Sequence, residues 1–138
     1  MKKIIISLIF FSSFLFAKLF FNLSDAINSA KWNDKPILVF IVSSNCPHCQ
    51  NLVHSIGNNK NFFRWIVKSY NWVVIDVAFK NPPASVYFDG YVPTIEVFTP
   101  NMQLISRPIK GEVPLNMLYQ YLNNNLQLYY RYRSSNDY

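Results

Sequence analysis

An α/β domain with a mixed central β-sheet flanked by α-helices is predicted by three features of the 138-residue chain. The unbroken, largely β-branched apolar run Ile37–Val42 is short enough for a strand buried on both faces, and Trp72–Ala78, interrupted only by Asp76, reads as another buried strand. The segments before and between them carry apolar residues at helical spacing. Downstream, Thr94–Phe98 alternates as a strand should, and Pro100-Asn101 suits the centre of a tight turn that sends the chain back antiparallel.

Taken in order, Ser24-Asp25 is expected to cap a helix through Ala26, Ile27, Ala30 and Trp32, which Asn33–Pro36 breaks. The strand Ile37–Val42 then leads through the polar turn Ser43-Ser44-Asn45 into a helix that begins at the cysteines. Pro47 fits its first turn, where the missing N–H costs nothing, and Gly57 suits its end. A further helix is expected over Asn61–Tyr70, with Phe62, Phe63, Ile66 and Val67 on it. After the strands, Met102–Ile109 should return antiparallel, and Leu115–Leu126 closes the domain as a helix with apolar Leu115, Leu118, Tyr119, Leu122 and Leu126. The element order is α-β-α-α-β-β-β-α. The tail, 127–138, is rich in Tyr and Arg without clear periodicity and is expected to fray.

The length allows one packed core and a short appendage rather than two domains. Apolar residues make up 51% and charged ones 14%, which suits a globular core and argues against disorder. Residues 1–17 read separately: Met1-Lys2-Lys3 is a positive n-region, Ile4–Phe16 an apolar stretch interrupted only by Ser7, Ser12 and Ser13, and Ala17 a small residue at a cleavage point. This is the pattern of a signal peptide, placing the domain at 18–126 in the periplasm or otherwise outside the cytoplasm. The rival is an uncleaved membrane anchor, which Leu19-Phe20-Phe21 could lengthen toward the ~20 residues of a span. Cleavage would take the net charge from +6 to +4 by removing Lys2 and Lys3. The remaining basic residues are scattered, and nothing forms the basic stripe that nucleic-acid binding calls for.

The chemistry lies in Cys46-Pro47-His48-Cys49, which holds both cysteines of the chain. A structural disulfide gains most by closing a long loop, and this spacing closes only the shortest of turns. The spacing suits exchange instead: one thiolate attacks and the second resolves the mixed disulfide. A buried strand, a short turn and a cysteine at a helix start bring Cys46 sulfur to unpaired N–H groups and the positive end of the helix dipole. Such sites lower a cysteine pKa from ~8.5 to roughly 3.5–7.5. Cys46 is therefore the expected nucleophile and Cys49, one turn deeper, the resolving thiol.

The stretch from Ile37 to Cys49 resembles the first core strand and active-site turn of the thioredoxin superfamily. Gly90–Phe98, with Val92-Pro93-Thr94 inside it, resembles the family's cis-proline loop and following strand, and Gly111 falls where thioredoxins commonly carry a glycine. The resemblance covers nearly all of 24–126, and the initial helix running into Lys35-Pro36-Ile37 is similar to compact periplasmic thioredoxin-like domains, including the type at the C-terminus of DsbD reductases. It implies a thioredoxin fold and an exported thiol–disulfide oxidoreductase. It also implies a cis Val92–Pro93 bond facing the cysteines, whose backbone pairs with an extended substrate segment. The implied partners are protein thiols or disulfides and a redox partner protein. No cofactor and no resident metal are expected, and the chain is expected to act as a monomer.

His48 tilts the direction. DsbA-type oxidases have the same Pro-His pair between their cysteines, and an imidazole beside Cys46 favours the thiolate. Stabilising the reduced form makes the disulfide a stronger oxidant. Two departures temper this tilt: only Lys80–Tyr91 stands where DsbA-type proteins insert a helical region, and Phe40 occupies the strand position where thioredoxins bury an aspartate. Proton transfer from Cys49 must then use water or another group. Asp76 is a candidate, although it reads equally as a strand-end residue.

Two other readings remain open on the sequence. Cys46, His48, Cys49 and His54 offer four soft or borderline ligands, but structural zinc uses two separated pairs, and Gln50 stands where haem attachment requires His. Alternatively, the chain is a thioredoxin-fold binding protein or metallochaperone with little redox turnover. Tyr87, Phe88 and Tyr91 would then form an apolar rim for a bound peptide, or simply pack the edge of the core.

Overall fold

The computed structural model describes residues 19–136; the segment read as a signal peptide lies outside the described residues. Eight elements follow in the expected order: α1 (Leu23–Asn33), β1 (Ile37–Val42), α2 (Pro47–Asn58), α3 (Lys60–Ser69), β2 (Asn71–Asp76), β3 (Thr94–Phe98), β4 (Ile109–Lys110) and α4 (Leu115–Asn136). They form one mixed sheet of order β2-β1-β3-β4. The pair β1–β2 is parallel, while β3 runs antiparallel to both β1 and β4.

The unbroken apolar run of β1 has a direct explanation, because every one of its residues is buried. Leu38, Phe40 and Val42 face a core built with Cys49, Leu52 and Ile56 of α2, Ile66 of α3, and Leu118 and Leu122 of α4. Ile37, Val39 and Ile41 face the other side, against Leu23, Ala26 and Ala30 of α1. A strand covered on both faces has no place for polar alternation.

Helix boundaries move by a residue or two from expectation. The N-cap of α1 is Asn22, whose Oδ1 accepts the Ser24 N–H at 2.9 Å, so the helix starts early enough to bury Leu23. Gly57 lies inside α2, which ends at Asn58 and shares Asn59 as a cap with α3. The tight turn is present, with Met102 N–H donating to Thr99 O at 2.9 Å across Pro100-Asn101. The antiparallel return is shorter than Met102–Ile109: it holds one bridge at Phe98–Leu104 and resumes as β4. Pro108, which has no donor to give a ladder, lies in the interruption.

The clearest correction concerns the tail. Where residues 127–138 were expected to fray, α4 continues without a break to Asn136. Tyr129 is buried on the α1–β1 corner, and its hydroxyl donates to Asp34, with the backbone carbonyl at 3.0 Å and Oδ1 at 2.8 Å. Arg133 pairs with the same aspartate. Asp34 is itself the left-handed C-cap of α1 (φ 57°), so the end of α4 clamps the end of α1. Among the described residues, no helix is long and apolar enough to cross a membrane.

Candidate active site

Cys46 is the N-cap of α2, held in extended conformation by its own N–H donating to Ser43 O at 3.0 Å. Its sulfur accepts the Cys49 N–H at 3.2 Å, the orphan-donor contact expected at a helix start. A thiolate there gains both that hydrogen bond and the helix dipole. Pro47 takes the first helical position and is exposed. Cys49 is buried in the core against α2 and β1, whereas Cys46 is partly exposed. Burial, helped by the hydrogen bond to Cys46, pushes the Cys49 thiol up to about 12. Both cysteines are free thiols in this structure. The two sulfurs thus differ in setting: Cys46 is partly exposed and accepts an N–H, whereas Cys49 is buried with its thiol pushed up.

The loop before β3 delivers the facing wall. Val92–Pro93 is a cis bond. Val92 O lies 3.8 Å from Cys46 Sγ, which places the Val92 backbone directly against that sulfur. Pro93 O accepts the N–H of Gly111 at 2.8 Å, and Gly111 has the φ of +91° that favours glycine. Between these walls runs a groove of ≈ 600 Å³ lined by His48 and Leu52 of α2, Tyr91, Val92, Glu112 and Val113.

His48 is exposed, and its Nδ1 lies 2.8 Å from Glu112 Oε2 on the loop between β4 and α4. Sixty-four residues separate the two, so no local pattern pairs them. Phe40 is fully buried in the same core cluster as Cys49 and meets Trp72 edge-on at 5.0 Å. Asp76 ends β2, and its Oδ1 accepts N–H groups from Ser44 at 3.1 Å and Ala78 at 3.0 Å. It lines, together with Cys49, Ser43 and His54, a cavity of ≈ 370 Å³. His54 is exposed on α2. Among the described residues, no group of three His, Cys, Asp or Glu side chains is placed to hold a metal ion.

Three features of the site region were not anticipated. Glu112 is one. Glu96 is a second: it is buried under the loop leading to Pro93, with Oε1 accepting the Tyr87 N–H at 3.0 Å and Oε2 without a partner. In an alternating strand this glutamate has the position of an ordinary polar residue, and only tertiary packing covers it. The third is Lys110, which pairs with Asp89 and lies 5.1 Å from the Tyr87 ring centre and 5.8 Å from that of Tyr91. The aromatic rim is therefore divided: Phe88 packs inward, while Tyr87 and Tyr91 stand exposed about a lysine.

No protein-family model matches the sequence, and no curated protein matches it. Among solved structures, the C-terminal domain of Neisseria meningitidis DsbD in the oxidised form superposes with a TM-score of 0.60 and 16% identity, covering 78% of this chain and 99% of that one. A disulphide isomerase from Xylella fastidiosa Temecula1 aligns with a TM-score of 0.48 and 21% identity over 62% of this chain and 69% of that one. Identity this low speaks to architecture. With its mixed sheet, its flanking helices and its match along the DsbD domain, the chain has the thioredoxin fold.

Proposed function

We propose that the protein is an exported thiol–disulfide oxidoreductase that exchanges disulfides with protein substrates through Cys46 as nucleophile and Cys49 as resolving thiol, favouring oxidation. The observation that carries this reading is the asymmetry of the two sulfurs: Cys46 accepts an N–H at the start of α2, and Cys49 is buried with its thiol pushed up to about 12. In the oxidising direction, a substrate thiolate attacks the Cys46 sulfur of the 46–49 disulfide and Cys49 leaves as thiolate, taking a proton. A second substrate thiolate then attacks the mixed disulfide, and Cys46 leaves as a thiolate that the N–H of Cys49 stabilises. The groove beside Val92 supports an extended protein segment as the substrate, and the Val92 backbone is the surface such a segment would line up on.

The direction rests on His48 and on the stabilised sulfur of Cys46, since a favoured dithiol makes its disulfide an oxidant. The apolar, positively flanked residues 1–17 support export, with a redox partner protein in the same compartment. The test is turnover of a protein disulfide, or oxidation of a reduced protein, by the purified chain. Rapid exchange abolished by Cys46→Ser supports the proposal; absence of turnover in both directions overturns it in favour of a binding protein.

A further inference from the structure

We propose that Glu112 is a positioning residue that acts through His48 to hold back the oxidising power of the Cys46–Cys49 disulfide; the inference rests on the redox reading above. His48 sits in the first turn of α2 between the two cysteines, and its side chain is 73% exposed, so packing alone does not fix its ring. What fixes it is a carboxylate from a remote segment, with Nδ1 and Glu112 Oε2 2.8 Å apart. An ionised carboxylate only accepts, so the ring nitrogen facing it carries the proton.

Glu112 is itself held in place. The residue before it, Gly111, donates its N–H to Pro93 O, and Lys110 one step earlier pairs with Thr94 in the sheet. The residue after it, Val113, packs on the core. The carboxylate is thus delivered across the mouth of the substrate groove by a segment tied to the Val92–Pro93 loop. The neighbouring cation on that segment, Lys110, is already paired with Asp89 and leaves Glu112 to His48.

The consequence follows from charge. An imidazolium alone beside a thiolate lowers the energy of the reduced form, and the disulfide becomes a stronger oxidant. With a carboxylate bound to the ring, the His48–Glu112 unit carries one positive charge fewer, and that stabilisation is diminished. The Pro-His pair therefore acts here through a compensated histidine. This gives the chain a redox poise below that of the same motif with a free imidazole.

The test equilibrates the oxidised protein with glutathione. Two glutathione thiols become glutathione disulfide, while the 46–49 bond takes two electrons and two protons to give the dithiol. Wild type, E112Q, H48A and the double variant are quenched by alkylation and weighed by mass spectrometry. In E112Q the equilibrium should move toward the protein dithiol by roughly three- to tenfold, as expected for one partly screened charge. In the H48A background the same replacement should move it by less than about twofold, because the intermediary is gone. An unmoved E112Q, or an equal shift in both backgrounds, overturns this inference while leaving the redox reading intact. A wild-type chain that forms no reversible disulfide overturns both.

Discussion

Replacing Glu96 by Gln removes a carboxyl whose burial on β3 pushes it from an ordinary 4.5 up to about 7. Only Oε1 has a partner, the Tyr87 N–H; Oε2 is enclosed without one, opposite Val39 of β1. Below pH 4.5 the carboxyl is protonated in both folded and unfolded chains and does not affect their balance. As pH rises from 4.5 to about 7, the unfolded chain releases a proton that the folded chain keeps, so stability falls. Above that range the loss is complete. A displacement of this size corresponds to roughly 3 kcal/mol, of which about 2–3 kcal/mol should develop between pH 5 and pH 8. Urea unfolding of wild type and E96Q at both pH values checks it. Ordinary carboxylates contribute equally to the two proteins and cancel in the difference. The expected result is a wild type that loses stability relative to E96Q on going to pH 8. Parallel pH profiles would refute the reasoning, because they would mean that Glu96 titrates alike in both states.

Other consequences can be checked on single variants. In Cys46→Ser the remaining thiol, Cys49, should alkylate far more slowly at pH 7 than a free cysteine, since burial is the leading cause of its raised pKa; mass spectrometry gives the rate, and labelling as fast as free cysteine would contradict its sheltered role. Tyr129→Phe removes the hydroxyl bonded to Asp34 and should cost about 1–2 kcal/mol in urea unfolding, with lost helicity at the end of α4. An unchanged midpoint would mean that the clamp between α4 and α1 contributes nothing. Phe40→Ala should destabilise by about 3–5 kcal/mol, because the ring is fully buried against Trp72. Dithiol exchange by the folded fraction should nevertheless persist, as Phe40 carries no proton-transfer role.

What could be read from the sequence was whatever local pattern determines. The β-branched run of β1 marked a strand buried on both faces, and each of its residues is buried. The strand, turn and cysteine sequence placed Cys46 at a helix start, where it is the N-cap. Thr94–Phe98 coincided with β3 to the residue. What escaped depends on contacts distant in sequence. The second half of α4 is anchored by Tyr129 and Arg133, polar-tipped residues that bond to Asp34 and leave no clear apolar period to read. Glu112 meets His48 across sixty-four positions of sequence, on a segment tied to the Pro93 loop by the Gly111–Pro93 hydrogen bond. Glu96 looks like a solvent-facing strand residue until the segment 86–88 folds over it. The short β4 likewise reflects Pro108 and the path of one loop more than any strand propensity.

The most direct test of the central claim is a redox titration of the native chain across a range of glutathione disulfide-to-thiol ratios, with acid quenching, alkylation under denaturing conditions so that the buried Cys49 is also labelled, and counting of the labels by mass. The proposed function predicts one reversible transition between a species labelled at Cys46 and Cys49 and a species labelled at neither. Its midpoint should lie on the oxidising side of the thioredoxin value of about −270 mV. A chain labelled at both cysteines at every ratio would contradict the claim.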